Sequence, residues 1–290
     1  MGFTKGNEKP AQAGNFSGTR EMNIKRALRM VRPQLKGLGE KLFPRTMYAR
    51  RYRSWLMLEP ELALLPALCR RDAVAIDIGA NEGFFAKHLL PLAQSVIAFE
   101  PLPQLVAELR KNYPDKMEIH GIILSDHEGD GELRFPAGGF MSATVQESNH
   151  AAAESGRAIE TVVVAMKTLD GFHLTNVGFI KIDVEGHEEA VLRGGLTTIK
   201  REMPNLMIEI EERHAPGSLD RVPALLADAG YCGYYLDGDS LRPLWQFNPL
   251  RDQVKSKGRQ QRYINNFLFF PRERADSILE AARKYLPGSR

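Results

Sequence analysis

The stretch Ala73-Val-Ala-Ile-Asp-Ile-Gly-Ala-Asn-Glu-Gly-Phe84 decides the fold of this chain. It opens as a short apolar run, which is typical of a fully buried parallel strand. The run breaks at Gly79 and Gly83, and helix-forming residues follow. Strand, glycine turn and helix together predict the first unit of a nucleotide-binding βαβ fold.

A second apolar segment, Ser95-Val-Ile-Ala-Phe-Glu100, predicts the next strand, and it ends in a carboxylate. Rossmann-like folds place an acid at this spacing to take both ribose hydroxyls. The turn reads G-x-x-x-G, with Asn81 where a middle glycine would let a pyrophosphate approach the helix. We therefore expect a site for an adenosine without phosphates, namely S-adenosylmethionine (SAM). An NAD dehydrogenase is the least favoured alternative because that glycine is missing.

The rest of the chain predicts a Rossmann-like sheet of seven strands. Helices between the early strands and a late strand pair indicate an α/β, doubly wound, mostly parallel sheet with an antiparallel edge strand. The five further strands are predicted over Met117–Leu124, Gly178–His187 (with acids past its carboxyl end), Asn205–Glu211, Tyr231–Leu236 and Ile264–Phe270. Five helices are predicted over Glu61–Cys69, Gln104–Asn112, Glu188–Arg193, Leu219–Ala229 and Asp276–Tyr285.

A long insertion interrupts the alternation after the third strand. Gly131–Phe135 and Glu160–Met166 predict paired strands around a loop rich in Gly, Ser and Ala. Long insertions in compact domains are usually functional. We expect this one to cover the ligand, with Met141, Ser142 and Thr144 near its tip.

Composition is ordinary for a folded protein, with 43% hydrophobic and 26% charged residues among 290. No apolar run reaches the length of a membrane span, and the polar, glycine-rich N-terminus lacks the core of a signal peptide. Two cysteines, Cys69 and Cys232, make no disulfide framework. These features predict a soluble cytoplasmic protein.

Charge is unevenly distributed. The segment Arg20–Arg53 holds eleven Lys or Arg against two Glu, a local net charge of +9 in a chain whose net charge is +3. Ile24, Leu28 and Val31 share one face of a basic amphipathic helix that Pro33 should end. Such a helix either packs on its own domain with a solvated basic face, or lies on the inner face of an anionic membrane.

The motifs now assembled resemble the FkbM family of methyltransferases, over residues 59–271. The matching elements are Ile76-Asp-Ile-Gly-Ala-Asn-Glu-Gly83, Phe99-Glu-Pro101, Leu124-Ser-Asp126, Thr168-Leu-Asp170, Ile180-Lys-Ile-Asp-Val-Glu-Gly186, Gly194-Gly195, Glu209-Ile-Glu211 and Asn266. The combination of D-x-G-A-N-x-G with K-x-D-x-E-G is specific, whereas neither half alone would be.

The resemblance implies methyl transfer from SAM to oxygen, commonly a hydroxyl of a sugar, glycan or secondary metabolite. Ser125 and Asp126 follow the third predicted strand, and by position we assign Asp126 to the adenine ring. The residues assigned to the cofactor are Asp77, Gly79, Ala80, Asn81, Gly83, Glu100, Pro101, Ser125 and Asp126.

Candidate catalytic residues follow the fourth predicted strand. An acceptor alcohol must lose its proton, and our order for the general base is Asp183, His187, then Glu185. A second mechanism fits the same edge, in which Asp183 with Glu209 or Glu211 holds Mg²⁺ through hard oxygen ligands. The metal is possible but not expected, because carboxylates around Lys181 also form purely structural networks.

Two other functions use the same fold. A nucleic-acid methyltransferase would grip phosphates with the basic segment, but no base-methylation motif or RNA-binding module is visible. A non-catalytic binding protein would keep the fold as a scaffold, against which the intact turn and acids argue. Neither a nucleic-acid partner nor a particular oligomeric state is predicted. The predicted organisation is a disordered tail over 1–19, a basic helical extension over 20–58, the methyltransferase domain over 59–271 with the insertion at 128–168, and a C-terminal helix and tail over 272–290.

Overall fold

The predicted first strand lies near the centre of an eight-stranded sheet. The structure, a computed structural model, describes residues 59–137, 143–145, 156–254 and 263–286. Predictions for residues 1–58, including the tail and the basic helix, lie outside this range, as do Met141 and Ser142. The strands are β1 Val74–Ile78, β2 Ser95–Phe99, β3 Glu118–His120, β4 Ile123–Leu124, β5 Gly129–Pro136, β6 Ile159–Lys167, β7 Val177–Ile182, β8 Asn205–Glu209, β9 Tyr231–Asp237, β10 Ser240–Pro243 and β11 Asn266–Pro271.

Helices flank the sheet where the apolar patterns predict them. The first predicted helix begins as the 3₁₀ turn Pro60–Leu64 and continues as α1. The α-helices are α1 Leu65–Leu68, α2 Phe84–Leu89, α3 Pro103–Asn112, α4 Glu188–Gly194, α5 Leu196–Glu202, α6 Ser218–Asp228, α7 Pro249–Asp252 and α8 Ala275–Arg283. Within the described ranges, none of the helices combines the length and apolar character that crossing a bilayer requires.

The sheet order is β10-β9-β11-β8-β7-β1-β2-β3. Strands β3, β2, β1, β7 and β8 are parallel, β11 runs antiparallel between β8 and β9, and the edge strand β10 is antiparallel to β9. The predicted doubly wound architecture is confirmed, with an eighth strand. That extra strand follows the two-residue turn Gly238-Asp239, a short hairpin signal that the prediction of seven strands did not use.

The core is densest around β1 and β7, which are central strands covered on both faces. All six residues of β7 are buried, Lys181 included. Chain order reverses between these two strands, since β1 continues to β2 on one side and β7 to β8 on the other. In open α/β sheets such a switch point leaves a crevice at the carboxyl ends of the strands.

The third strand corrects the sequence prediction. The sequence predicts a single strand over Met117–Leu124, but only β3 joins the main sheet. After Gly121 the chain leaves β2, and β4 pairs instead with Met166 and Lys167 of β6. Hydrogen bonds to the insertion therefore replace those to the main sheet, and they displace Ser125 and Asp126 from its edge.

The insertion forms the antiparallel hairpin that its sequence predicts. Strands β5 and β6 pair along their whole length, from Gly129 with Met166 to Pro136 with Ile159. Apolar side chains of this hairpin, including Leu133 and Phe135, pack on Leu102 and Leu105 at the start of α3 and just before it. The hairpin therefore stands beside the carboxyl edge of the main sheet.

Candidate active site

A cleft opens where the switch point lies. Its walls come from the loops after β1, β2 and β7, from β4, and from the segment 143–145 of the insertion. Both apolar and polar side chains line it. The lining residues are Ile78, Gly79, Asn81, Phe99, Glu100, Pro101, Ile122, Ile123, Leu124, Leu133, Ala143, Thr144, Val145, Asp183, Val184, Glu185 and His187.

The turn after β1 is held against the loop after β7. Gly79 has a φ of +81°, and a Cβ there would lie 1.8 Å from the carbonyl oxygen of Asp183. The amide of Asp183 donates to the carbonyl of Ile78 at 3.0 Å, so the two loops are joined through their backbones. Only glycine permits both the conformation and the close approach.

Glu100 joins the turn to the loop after β2. Its Oε2 accepts from the amide of Asn81 at 2.8 Å, and its Oε1 accepts from the amide of Leu102 at 2.9 Å. Burial raises the pKa of Glu100 to about 7, against the lowering effect of those two amides. Each carboxylate oxygen can accept a second hydrogen bond, so Glu100 can still bind hydroxyls in the cleft.

Asp77 lies in β1 and is fully buried. Neither of its carboxylate oxygens has a hydrogen-bond partner among the described residues. Burial raises its pKa to about 6, whereas Lys181 opposite it on β7 and the nearby amide of Ala86 lower it. A buried orphan acceptor beside the glycine turn favours a bound group that supplies donors.

Two more predicted cofactor residues support the turn without lining the cleft. Ala80 is buried against Ala98 and Leu109. Gly83 has a φ of +81° and precedes α2, and a Cβ there would lie 2.6 Å from a methyl group of Leu109. These residues seat the turn on the sheet, whereas Pro101 lies in the cleft wall.

Lys181 supplies a positive charge beneath the cleft. Its Nζ lies 2.7 Å from Asp183 Oδ2 and 4.4 Å from the centre of the Phe85 ring. Burial alone would lower the pKa of Lys181, but the nearby acids Asp183, Asp77 and Glu209 raise it above its ordinary value. The ammonium therefore remains charged and pairs with Asp183 at the cleft wall.

Glu185 does not suit the role of a base. It adopts a φ of +53°, and its Oε2 lies 3.0 Å from Nδ1 of the buried His214. Burial, with Asp183 and Glu211 nearby, raises the pKa of Glu185 to about 9, so the group holds a proton at neutral pH. Its backbone carbonyl accepts from the hydroxyl of Thr144 at 2.9 Å, which ties the insertion to the site.

His187 lies between the cleft and a second, polar cleft beside α4. It precedes the first residue of α4, and its Nε2 lies 3.0 Å from Ser125 Oγ. Burial lowers the pKa of His187, and Asp126 partly opposes this effect. The imidazole is therefore neutral at physiological pH, the form in which it can accept a proton.

Ser125 and Asp126 are not among the described residues that line the main cleft. Ser125 is fully buried, and Asp126 is exposed beside the second cleft. Ile122, Ile123 and Leu124 occupy the position predicted for Asp126, because the chain leaves the main sheet after β3. Asp126 thus lies outside the lining of the main cleft, and its assignment to the adenine ring stays a prediction.

The carboxylates proposed as metal ligands face different partners. Glu209 Oε1 accepts from Asn265 Nδ2 at 2.8 Å, whereas Glu211 binds Arg213 and Tyr263. Over the described ranges, no three His, Cys, Asp or Glu side chains are grouped closely enough to hold a metal ion. The two-carboxylate magnesium site therefore stays a prediction, and we derive no step through a metal.

Sequence reasoning missed two further acidic contacts. Glu59 Oε2 accepts from Asn266 Nδ2 at 2.7 Å, and burial raises the pKa of Glu59, which Lys181 lowers and Asp183 raises. Asn265 and Asn266 open β11 and direct their amides to Glu209 and Glu59. The Asn-Asn pair next to an apolar strand could have predicted these contacts, because buried side-chain amides need hydrogen-bond partners.

Three comparisons relate the chain to known proteins. A family model described as the methyltransferase FkbM domain matches residues 77–232, more than half of the chain. The AMB antimetabolite synthetase AmbE of Pseudomonas aeruginosa is 38% identical over 72 residues, which are 23% of this chain and 3% of that protein. The chain thus spans a small part of this relative.

Solved structures of methyltransferases are similar to this chain at low identity. Methyltransferase FkbM from Methylobacillus flagellatus KT is 16% identical with a TM-score of 0.45, over 69% of this chain and 44% of that one. A putative tRNA (m1A22) methyltransferase of Streptococcus pneumoniae, solved with S-adenosyl-L-methionine, is 13% identical with a TM-score of 0.38, over 73% and 70%. A TehB-like SAM-dependent methyltransferase from Corynebacterium glutamicum is 14% identical with a TM-score of 0.37, over 78% and 97%.

Proposed function

The chain belongs to the methyltransferase FkbM family, whose cofactor is SAM, and we propose that it transfers a methyl group to a hydroxyl of a sugar, glycan or secondary metabolite. The observation that carries this proposal is a neutral imidazole, that of His187, in the wall of the cleft that the glycine turn and Glu100 also line. A hydroxyl acceptor needs a base of this kind, because its proton must leave during or before attack.

The described residues fit the cofactor. Gly79 and Asn81 of the turn line the cleft, and Glu100 beside them can accept from ribose hydroxyls. Phe99 and Ile122 are apolar residues of the lining, and apolar contacts suit a planar base. When bound, SAM supplies an electrophilic methyl group on a sulfonium, so the protein has only to align the reactants and remove a proton.

The geometry changes the order of the candidate bases. Asp183 is paired with the buried ammonium of Lys181, whose Nζ lies 2.7 Å from its Oδ2, so one of its oxygens is already engaged. Glu185 is protonated at neutral pH. His187 is unprotonated and lines the cleft, so we propose His187 as the general base.

Asp183 has a different role in this proposal. Its Oδ2 contacts Lys181, and the residue remains at the cleft wall with its side chain 29% exposed. A fixed carboxylate can accept a hydrogen bond from the acceptor and hold its reacting oxygen in line. Asp183 is therefore proposed to orient the acceptor.

Labelled SAM with a panel of sugars, glycans and hydroxylated metabolites would test the proposal. We expect the natural protein to transfer the labelled methyl group to a hydroxyl oxygen and to yield a methyl ether. His187→Gln should do so at least about 100-fold more slowly. Transfer to nitrogen or carbon acceptors alone, or SAM binding with no transfer to any class, would refute O-methylation. Salt-sensitive methylation of RNA would instead favour the nucleic-acid alternative.

A partner is proposed for the basic segment Arg20–Arg53. Its net charge of +9 would be attracted to an anionic membrane leaflet, where lipid-linked sugars are also found. Replacing Arg26, Arg29 and Arg32 by Gln should weaken binding to liposomes containing anionic lipid and leave SAM binding intact. Unchanged liposome binding would exclude this partner.

A further inference from the structure

Ser125 contacts two polar groups with a single hydroxyl. Its Oγ lies 3.0 Å from His187 Nε2 and 3.3 Å from Asp126 Oδ1. His127 Nδ1 lies 2.6 Å from the same Asp126 oxygen. The four side chains thus form a chain of contacts that begins at the surface and ends at the proposed base.

The positions of Ser125 and His187 are fixed by the backbone. The amide of Ser125 donates to the carbonyl of Lys167 at 2.9 Å. A Cβ on Gly194 would lie 1.9 Å from the carbonyl oxygen of Ser125, so this glycine lets the loop rest on α4. His187 precedes the first residue of the same helix, and the two side chains therefore meet without depending on their own hydrogen bond.

The number of hydrogens decides the direction of the bonds. The contact with His127 lowers the pKa of Asp126, so Asp126 is ionised at neutral pH and can only accept. The hydrogen between Ser125 and Asp126 must therefore come from Ser125, whose hydroxyl has one. The hydrogen between Ser125 and His187 must then come from Nε2.

From this arrangement we propose that Ser125 and Asp126 are positioning residues, which hold His187 in the tautomer with hydrogen on Nε2 and leave the Nδ1 lone pair to receive a proton. The inference rests on the proposed function for the role of His187 as base. It assigns Ser125 and Asp126 to the support of the base, whereas the sequence alone assigned them to the cofactor. A histidine tautomer is commonly set by the hydrogen bond at the other ring nitrogen.

The tautomer can be measured without any acceptor. The full-length protein, labelled with ¹⁵N at histidine, is studied by two-bond ¹H–¹⁵N correlation at about pH 8, above the ordinary histidine pKa. His187→Gln identifies the signal. We expect the Nε2–H tautomer in the natural protein and a mixture of both tautomers in Ser125→Ala and in Asp126→Asn.

A matched control is available at the surface. Ser240 Oγ donates to the adjacent Asp239 at 3.2 Å, the same local arrangement in the hairpin β9–β10. Ser240→Ala should leave the His187 signal unchanged. Because Asp126 is exposed, Asp126→Asn tests the inference even if Ser125→Ala fails to fold.

Two results would overturn the proposal. The first is an Nδ1–H tautomer in the natural protein, or an Nε2–H signal that both variants leave unchanged. The second comes from calorimetry with SAM: affinity should be retained in Asp126→Asn, and a loss of about 10-fold or more would return these residues to the cofactor. A tautomer found as expected in a protein without methyl transfer would support this inference and refute only the proposed function.

Discussion

Gly79 and Asp183 lie so close that a Cβ on the glycine would be 1.8 Å from the carbonyl oxygen of the aspartate. The contact joins the loops after β1 and β7, the two strands at which chain order reverses. Through it, the proposed cofactor turn sets the position of the residue proposed to orient the acceptor. Cofactor binding and acceptor geometry are therefore expected to fail together when this contact is disturbed.

Gly79→Ala tests the contact. Gly238 is the matched control, because it also has a positive φ but a Cβ there would meet no described atom within 4 Å. Gly238→Ala should lower the free energy of unfolding by about 1–2 kcal/mol, the strain of a left-handed residue. Gly79→Ala should lower it further and reduce SAM affinity at least about 10-fold, measured by denaturation and calorimetry. Equal effects of the two substitutions would show that the close approach is unimportant.

Lys181→Met should strongly destabilise the protein. It removes the ammonium from Asp183, Asp77 and Glu209 and leaves buried charge uncompensated. We expect a loss of about 3–5 kcal/mol in the free energy of unfolding at neutral pH. The loss should shrink in acid, as the pH falls below the pKa of about 6 that buried Asp77 has in the natural protein.

The control for this charge is Lys111, an exposed lysine whose Nζ lies 3.5 Å from Glu108. Lys111→Met should change the free energy of unfolding by no more than about 1 kcal/mol, as for other surface ion pairs. If Lys181→Met were equally mild, the buried acids would not depend on that cation.

His187→Gln and Asp183→Asn should separate the two catalytic roles. Burial lowers the pKa of His187, so the acidic limb of kcat against pH should fall below the ordinary value of about 6.5. His187→Gln should reduce kcat about 10²- to 10⁴-fold and abolish that limb. Asp183→Asn should slow the reaction but keep the limb. A limb that survives in His187→Gln would assign the base to another group.

Glu188→Gln should change the pH dependence of stability. Burial raises the pKa of Glu188 from 4.5 to about 7, although it accepts from the amide of Gly186 at 2.8 Å. Because the pKa of Glu188 is higher in the folded state than in the unfolded state, its contribution to the free energy of unfolding is fully present below about pH 4.5. That contribution, up to about 3 kcal/mol, is lost as the pH rises to about 7. Between these pH values, the free energy of unfolding of Glu188→Gln should therefore rise relative to that of the natural protein, as measured by urea denaturation.

Glu189 provides a control of opposite sign. Arg221 and Arg193 lower the pKa of Glu189, so its contribution is present above the unfolded pKa and is lost as pH falls through the lower folded value. Glu189→Gln should consequently lose stability at neutral pH and not in acid. If both variants shifted in the same direction, burial would not be what separates these neighbours.

The sequence by itself determined the architecture and most of the cleft. Local patterns sufficed for the glycine turn, for Glu100 and for the strand that carries Lys181 and Asp183, because each is a short motif at the end of an apolar run. The paired strands of the insertion were also predictable, since the alternation of their side chains is a local property.

Only the tertiary structure decided which polar groups serve the site. The chain turns from β2 to β6 after Gly121, and this choice of hydrogen-bond partner places Ser125 beside His187, with Asp126 next to it. The order of the candidate bases likewise depends on burial and on neighbours distant in sequence. The fold determines three properties of these candidates: the protonation of Glu185, the pairing of Asp183 with Lys181 and the neutral state of His187. Desolvation and charge act through space and not along the chain, so local sequence patterns do not reveal them.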